Sequence, residues 1–408
     1  MGIEWIETTI GAQATLQRGV DITRADQRDG PIPVVSSGGI SSFHDVAAAT
    51  GPGVVLGRKG VVGSVWFVTG DYWPHDTTLW VKDFHGNDRR FVYYFFKWMA
   101  PRFAAMDVGS ANPTLNRNHV HPIEVRWPPL AEQRAIVHIL GTLDDKIELN
   151  RRMNETLEAM SQAIFKSWFV DFDPVRAKAG GEPSASICRR LRLTPEILAL
   201  FPDRLVDSQL GEIPEGWEVK PLDGIASYLN GLALQKYPPE SEGEWLPVIK
   251  IAQLKSGSTV GADRASHRLN PEYIVDDGDV LFSWSGSLEV DVWCSGRGAL
   301  NQHLFKVTSK SYPKWFFFHW TREHLAHFRA IAAGKAVTMG HIQRKHLTEA
   351  LCVVPSGALL DKAGEFIAPM FQYQIENRRQ SRSLVTTRDE LLPRLVSGEL
   401  RVAIGGVT

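Results

Sequence analysis

The sequence predicts an α+β protein: two globular mixed α/β domains joined by two long antiparallel coiled-coil helices, with an internal pseudo-two-fold repeat. Three observations lead to this fold class: a length of 408 residues, a duplicated unit of about 200 residues, and apolar residues at helical spacing. At roughly 150 residues per domain, the length indicates two to three domains. Apolar residues make up 43% and charged residues 22% of the chain, which is typical of a protein with a packed core.

The repeat consists of six short matches that occur in the same order in both halves, at offsets of 212 to 227 residues. Trp5 and Trp217 open the two copies, and Asn150 and Asn377 belong to the last match. The matches between them are 53–56 with 278–281, 91–95 with 316–320, 109–111 with 334–336, and 125–128 with 352–355. A repeated unit of this length indicates a globular domain followed by a helix, because solenoid repeats are much shorter.

A coiled-coil helix is predicted over 129–169, because apolar residues recur there mostly at steps of three and four. These residues are Ile136, Leu140, Leu143, Ile147, Met153, Leu157, Met160 and Ile164, with polar Asn150 at the same spacing. A weaker seam follows in the second copy, at Phe366, Met370, Tyr373, Asn377, Leu384, Leu391 and Leu395. Pro369 and Pro393 lie inside the second helix, so a kink or a frayed turn is expected there. Antiparallel pairing would let each helix cover the apolar stripe of the other.

The domain boundaries follow from these signals. Pro, Gly, Ser and Arg are frequent between the halves, which predicts a flexible connector. The predicted domains are 1–128 (first globular domain), 129–169 (first helix), 170–211 (connector), 212–356 (second globular domain), 357–400 (second helix) and 401–408 (tail). Within the first domain, strands are expected at Val54–Leu56 and Val61–Val68.

Catalytic motifs are weak throughout the chain. Residues 57–64 lack the Gly-Lys-Ser/Thr of a phosphate-binding loop, and 112–115 match only part of an adenine methyltransferase signature. Asp203, Glu218 and Lys220 have the residue types of a nuclease core, although Asp203 falls in the connector. His319, His324 and His327 have no carboxylate or cysteine framework to complete a metal site. We therefore predict no catalytic or metal site, and a nuclease centred on Asp203, Glu218 and Lys220 is the enzymatic alternative.

Charge and residue type favour DNA binding by the globular domains. The net charge is −1, but 51–128 contain nine basic and six acidic residues, and 244–350 contain 13 and 10. A local basic excess is what phosphate neutralisation requires. Polar and basic side chains that can bond to base edges also occur in turn-rich segments of both domains. A coiled-coil assembly protein without DNA affinity remains an alternative.

Several motifs together carry a family resemblance: 128–136 (PPLAEQRAI), 143–150 (LDDKIELN), 167–178 (SWFVDFDPVRAK), 207–219 (DSQLGEIPEGWEV), 301–303 and 399–400. Over nearly its whole length, the chain resembles the specificity subunit of type I restriction-modification systems. Two departures are visible. The second helix has Leu360-Asp361-Lys362 in place of the Glu-Gln entry, and His75-Asp76-Thr77 stands where the second copy has Asn301-Gln302-His303.

The resemblance implies two target-recognition domains that each read one half of an asymmetric, bipartite site in double-stranded DNA, with the paired helices setting the spacer. The partners would be two adenine methyltransferase subunits and, through them, restriction/translocase subunits. S-adenosylmethionine, Mg²⁺ and ATP would bind to those partners, and no cofactor to this chain. The expected role is DNA methylation and defence against foreign DNA by a non-catalytic subunit.

Two sets of residues are predicted for these contacts. The DNA-binding set is Arg58, Lys59, His75, Thr77, Asn116, Arg117, Asn118, Ser285, Asn301, Gln302, His303, Lys335 and Arg344. The partner-binding set is Glu132, Gln133, Ile136, Leu140, Leu143, Ile147, Leu157, Leu384 and Leu391. A cytoplasmic location without membrane contact is expected, because the N-terminus lacks a signal-peptide pattern, the three cysteines are far apart, and no apolar run approaches about 20 residues.

Overall fold

The computed structural model describes residues 4–106, 114–334 and 340–402. The chain divides into two compact units. The first comprises Met1–Ile147 and Ser383–Thr408, and the second comprises Glu148–Arg382. The predicted globular domains end at 128 and 356, whereas each compact unit also includes a part of both long helices.

The first unit is a β-rich half covered by an aromatic helix. Its strands are β1 (Ile6–Thr9), β2 (Thr15–Arg18), β3 (Ile32–Ser36), β4 (Gly39–His44), β5 (Gly53–Gly57), β6 (Val65–Val68), β7 (Trp73–Pro74), β8 (Thr78–Asp83) and β9 (Glu124–Trp127). Its helices are α1 (Ile10–Gln13), α2 (Arg89–Ala105), α3 (Arg117–Val120) and the first part of α4 (Leu130–Phe165). The sheets have the orders β2-β8-β5-β6, β4-β3-β7 and β1-β9.

The core of the first unit forms between β5 and α2. All five residues of β5 are buried, and the aromatic run 91–99 lies in α2, with Phe91, Phe95 and Phe96 fully buried. Asp88 starts this helix, because its side chain accepts hydrogen bonds from two backbone N–H groups of the first turn. The predicted strand Val61–Val68 is shorter in the structure and begins at Val65, since the preceding residues form a turn.

The second unit repeats this layout with additional elements. Its strands are β10 (Leu205–Ser208), β11 (Gly211–Pro214), β12 (Glu218–Pro221), β13 (Ser227–Asn230), β14 (Trp245–Ile249), β15 (Arg264–Ser266), β16 (Ile274–Val275), β17 (Val280–Ser283), β18 (Val290–Val292), β19 (Gly298–Leu300), β20 (Leu304–Thr308) and β21 (Leu351–Val354). Its helices are α5 (Asp173–Ala179), α6 (Ser184–Leu191), α7 (Pro195–Leu198), α8 (Leu222–Ile225), α9 (Ile251–Ser256), α10 (Lys314–Glu323), α11 (Leu325–Ala333), α12 (Arg344–Glu349) and most of α13 (Gly357–Val396).

The duplication predicted from the sequence is confirmed by the strand order. The sheet β13-β20-β17-β18 has the same order as β2-β8-β5-β6 in the first unit, and β12-β21 corresponds to β1-β9. The register agrees as well. Ile6 pairs with Trp127 and Glu218 pairs with Val354, which are the offsets of 212 and 227 seen in the sequence. Each unit therefore carries one copy of the same α+β scaffold.

The two long helices pack together and run antiparallel. The contacts that establish this are Asp144 with Arg388 in the first unit, and Asn150 with Gln380 and Asn154 with Asn377 in the second. Residue numbers that rise along α4 meet numbers that fall along α13, as antiparallel pairing requires. α13 continues through Pro369 and Pro393, so no frayed turn forms there. Both prolines are exposed, and water can satisfy the carbonyl groups that they leave without a partner.

The predicted seams are partly wrong. Met153, Met160, Phe366 and Tyr373 are 40%, 47%, 40% and 62% exposed. On α13 the buried positions are instead Ile367, Phe371, Gln374 and Ile375. The physical reason is that α13 packs against its own globular half as well as against α4. The rings of Phe318 and Phe371, for example, lie 5.1 Å apart.

The predicted flexible connector is also wrong, because 170–211 is an ordered part of the second unit. It forms α5, α6, α7 and β10. Phe172, Val175, Ile187 and Phe201 are buried in the same core as the second globular half. The frequent Gly and Pro residues end short helices, and the apolar residues between them hold the segment in place.

Candidate nucleic-acid interface

In the first unit, three loops bring predicted DNA-binding residues together. The backbone N–H groups of Arg58 and Lys59 both donate to the carbonyl oxygen of Thr77, at 2.9 and 3.0 Å. Lys59 also forms a β-bridge with Thr114, and the N–H of Leu115 donates to the carbonyl of Arg58 at 2.9 Å. We call this assembly the first loop cluster, and it comprises Arg58, Lys59, His75, Asp76, Thr77, Asn116, Arg117 and Asn118.

The first loop cluster is dominated by charge. Lys59 and Arg117 are exposed, whereas Arg58 is partly buried. Burial and the neighbouring Arg18 lower the pKa of Arg58, and Asp76 opposes this shift. Arg18 forms a salt bridge of 2.9 Å with the carboxylate of Asp76. Arg18 and Arg58 therefore neighbour one carboxylate, and Lys59 and Arg117 add exposed cationic side chains, which are suited to phosphate groups and to acceptor-rich base edges.

One group of potential metal ligands lies at the edge of this cluster. Among the described residues, Asp21, His75 and Asp76 are the only set of three whose ligand atoms all lie within 4.8 Å of one another. The guanidinium of Arg18 already compensates the charge of Asp76. We therefore assign no metal ion to these side chains.

In the second unit, equivalent loops form a cluster with a different chemical character. The N–H of Trp284 donates to the carbonyl of His303 at 3.3 Å, and the N–H of Ile342 donates to the carbonyl of Trp284 at 2.9 Å. Ser285 forms a β-bridge with His341, and its Oγ lies 2.9 Å from Nδ1 of His303. We call this assembly the second loop cluster, and it comprises Trp284, Ser285, Asn301, Gln302, His303, His341 and Arg344.

Arg344 and Asn301, two of the residues of the second unit that were predicted to bind DNA, have different surroundings. Arg344 is exposed at the start of α12, where its guanidinium donates to the carbonyl of Tyr228 and lies 5.5 Å from the ring centre of Phe305. Asn301 is only 2% exposed, so its side chain supports the loop from inside. Lys335 lies outside the described residues.

The two clusters occupy the same place in the repeated scaffold. His75 forms a parallel bridge with Val20, and Asn301 forms the corresponding bridge with Leu232. The bridges of Lys59 and Ser285 correspond in the same way. Equivalent pairs are therefore Arg58 with Trp284, Lys59 with Ser285, His75 with Asn301, Asp76 with Gln302, Thr77 with His303 and Thr114 with His341. Arg117 and Arg344 are equivalent and identical. At Arg58, Lys59 and Asp76, the same backbone presents charged side chains in the first unit, and aromatic or neutral polar side chains stand at the equivalent positions of the second.

Three residues of these clusters, Asp76, Trp284 and His341, and the neighbouring Arg18 were not predicted from the sequence. The repeat could have identified the three cluster residues, because Asp76 and Trp284 are equivalent to the predicted Gln302 and Arg58, and His341 forms a bridge with the predicted Ser285. Aligning 75–77 with 301–303 assigns Asp76 to the position of Gln302. Arg18 is found only by geometry, since 58 residues separate it from its carboxylate partner.

Comparison with known proteins agrees with this architecture. A family model described as the type I restriction modification DNA specificity domain matches residues 14–159. The type I restriction enzyme MjaIX specificity subunit of Methanocaldococcus jannaschii is 26% identical over 322 residues, which cover 76% of this chain and 69% of that protein. The HindI specificity subunit of Haemophilus influenzae is 26% identical over 333 residues, 71% of each chain. The chain is therefore similar to the specificity subunits of type I restriction-modification systems.

The fold of this chain is also found in a solved structure. The crystal structure of the type I S subunit from M. genitalium superimposes with a TM-score of 0.58 at 15% identity, and the match covers 96% of both chains. A specificity subunit is a non-catalytic component of its enzyme complex. Among the described residues, no helix is long and apolar enough to cross a membrane.

Part of the predicted partner-binding set is buried inside the first unit. Glu132 and Gln133 are each 1% exposed, and Ile136 and Leu140 are fully buried. Gln133 Oε1 accepts from the N–H of Asp88 at 2.9 Å. These four side chains hold the start of α4 against the globular half. The half-buried members of the set are Leu143, Ile147, Leu157, Leu384 and Leu391.

The charged side chains of the nuclease alternative form ion pairs with neighbouring residues or with each other. Lys178 forms a salt bridge with Asp203, and Lys220 forms one of 2.7 Å with Glu218. Of the three histidines that could suggest a metal site, His319 is buried, and burial lowers its pKa to about 3. His324 Nε2 bonds to the carbonyl of Leu351 at 3.1 Å. Both histidines therefore belong to the core of the second unit.

Proposed function

We propose that this specificity subunit recognises a bipartite, asymmetric DNA site, with the first loop cluster contacting one half-site and the second loop cluster the other. The observation that carries the proposal is the pair of equivalent clusters with different side chains. One scaffold copied twice presents its loops in the same way, so identical side chains would favour identical half-sites. Arg58 and Lys59 stand at the positions of Trp284 and Ser285, and these different side chains favour different half-sites.

We further propose that the paired helices set the length of the unread spacer. The stiffness of two packed helices supports this role, because a rod keeps two DNA-contacting regions at one separation and one rotational phase. A heptad lengthens a helix by about 10.5 Å, which corresponds to about three base pairs at 3.4 Å each. The spacer is therefore expected to grow by about three base pairs when both helices are extended by one heptad.

The methyltransferase subunits are proposed to dock on the exposed side of the helices. Leu149, Met153 and Met160 are 51%, 40% and 47% exposed and lie at helical spacing along α4. Phe366 and Tyr373 lie seven residues apart on α13 and are also exposed. Exposed apolar side chains in a row favour a protein partner. S-adenosylmethionine, Mg²⁺ and ATP would then bind to the partner subunits. The complex would work in the cytoplasm, where the DNA is.

The proposal is tested by mapping methylated adenines in a methylation-free host that produces the full chain with its methyltransferase subunit. One variant carries two inserted heptads, one between Ile147 and Glu148 and the other between Arg382 and Ser383. We expect both half-site sequences to persist with a longer spacer. As a control, seven residues inserted after Val260, which is 88% exposed in a loop, should leave the motif unchanged. An undivided or palindromic motif from the unmodified chain would contradict the proposal, and so would altered half-site bases in the heptad variant.

A further inference from the structure

The loop that carries Gln302 has a rigid backbone. The N–H of Gln302 donates to the carbonyl of Leu232 at 2.9 Å, and the N–H of Leu304 donates to the carbonyl of Asn301 at 3.0 Å. Asn301 Oδ1 accepts from the N–H of His303 at 3.2 Å, and Trp284 Nε1 donates to the carbonyl of Gln302 at 3.1 Å. The position from which the Gln302 side chain extends is therefore set before any ligand binds.

The amide of Gln302 is oriented by a chain of side-chain hydrogen bonds. Its Nε2 lies 3.3 Å from Nε2 of His303, and Nδ1 of that ring lies 2.9 Å from Oγ of Ser285. An amide nitrogen can only donate, so Nε2 of His303 accepts. Nδ1 must then carry the ring hydrogen and donate to Ser285. Among the described residues, Oε1 of Gln302 makes no hydrogen bond, and the side chain is only partly buried.

What remains available on Gln302 is one acceptor, Oε1, next to one N–H donor. This pair matches adenine in the major groove, where N6–H donates and N7 accepts. We infer that Gln302 is the residue of the second unit that reads an adenine, with His303 and Ser285 as positioning residues that hold its amide in one orientation. The inference rests on the proposed function, and it names the base and the atoms that function would use.

The equivalent position in the first unit has the opposite chemistry. Asp76 offers only acceptors, and Arg18 already binds its carboxylate at 2.9 Å. A carboxylate cannot donate to adenine N7 and is suited to the N4 amino group of cytosine. The pair Asp76 and Gln302 is therefore a position at which the two halves of the subunit discriminate between different bases.

Gln302→Glu tests the assignment, because Glu has nearly the same shape but cannot donate to N7. This variant is produced with the methyltransferase subunit in the methylation-free host. We expect the methylation motif to lose its requirement for adenine at one position of one half-site, while the other half-site stays unchanged. The matched control is Gln235→Glu, which makes the same charge change at an exposed position of the same unit and should leave the motif unaltered. An unaltered motif for Gln302→Glu would overturn the inference.

A second measurement uses only the unmodified chain and so does not depend on how the variant folds. The complex with its methyltransferase subunits is titrated with its target DNA carrying 7-deazaadenine, which lacks N7, at each adenine of the motif in turn. At one of these positions, 7-deazaadenine should weaken binding of the complex by about five- to tenfold. Equal affinity at every position would overturn the inference while leaving the proposed function intact. If the unmodified complex recognised no DNA motif at all, the proposed function itself would fail.

Discussion

The buried carboxylate of Glu132 allows the sharpest prediction of stability. Its side chain is 1% exposed. Trp5 Nε1 donates to Oε2 at 2.9 Å, and the guanidinium of Arg401 donates to both oxygens, at 2.7 and 2.9 Å. Gly398 makes this closure possible, because it has a positive φ and a Cβ there would lie 3.2 Å from the Trp5 ring. The segment after α13 is thus held to the start of α4 by one ionic contact.

Arg401→Ala is expected to lower the free energy of unfolding of the first unit by about 2–3 kcal/mol. Removing one partner of a fully buried ion pair costs about 3–5 kcal/mol, because an uncompensated charge stays behind. The lower value applies here, since Arg401 is 49% exposed and water can approach its side of the carboxylate. At an m value of about 2 kcal/mol per molar urea, the midpoint should fall by about 1–1.5 M.

The assay is urea unfolding of the full chain, followed by tryptophan fluorescence and far-UV circular dichroism. Arg394→Ala is the matched control, because Arg394 pairs with Glu399 in the same segment but both side chains are more than half exposed. It should change stability by less than about 0.5 kcal/mol. Adding Glu132→Gln to Arg401→Ala should restore part of the loss, because an amide leaves no buried charge. Equal midpoints for Arg401→Ala and Arg394→Ala would refute the reasoning.

Two further predictions concern the second unit. The pKa of His319 falls from 6.5 to about 3 by burial against Phe165, so below pH 6.5 the unfolded state takes up a proton that the folded state does not. The stability advantage of the wild type over His319→Leu should therefore shrink by about 2 kcal/mol between pH 7 and pH 5, and a pH-independent difference in urea titrations would contradict this. Met153→Asp on the exposed side of α4 should prevent co-purification of the methyltransferase subunit, whereas Gln162→Asp, at an exposed position on another side of the same helix, should not. Undiminished co-purification of the Met153 variant would rule out docking there.

The sequence was sufficient for the large features of the fold. The offset that relates Trp5 to Trp217 reappears in the register of β1-β9 and β12-β21, because insertions in loops do not alter strand pairing. The position of Asn150 in the helix pair was also predicted, and this residue is fully buried beside Gln380. Periodicity is informative here because it depends only on which face of a helix is buried.

Details that depend on two competing surfaces could not be predicted. The seam of α13 was placed one residue too early, at Phe366 instead of Ile367, because apolar spacing does not reveal whether a helix packs on its partner or on its own globular half. The connector was judged by its Gly and Pro content, while Phe172 and Phe201 decided its packing. Individual site residues were found by type, but Asp76 required knowledge of which loops meet.

The hydrogen bonds that assemble the loop clusters would explain how one scaffold could serve the two half-sites that we propose. The carbonyl of Thr77 receives N–H groups from Arg58 and Lys59, and the carbonyl of His303 receives the N–H of Trp284. These contacts use backbone atoms, which every residue except proline supplies equally. A side chain such as Gln302 can therefore change without loss of the loop conformation that presents it. Under the proposed function, the base preference of each half could therefore diverge at little cost in stability, because these backbone contacts do not depend on the side chain that would read the base.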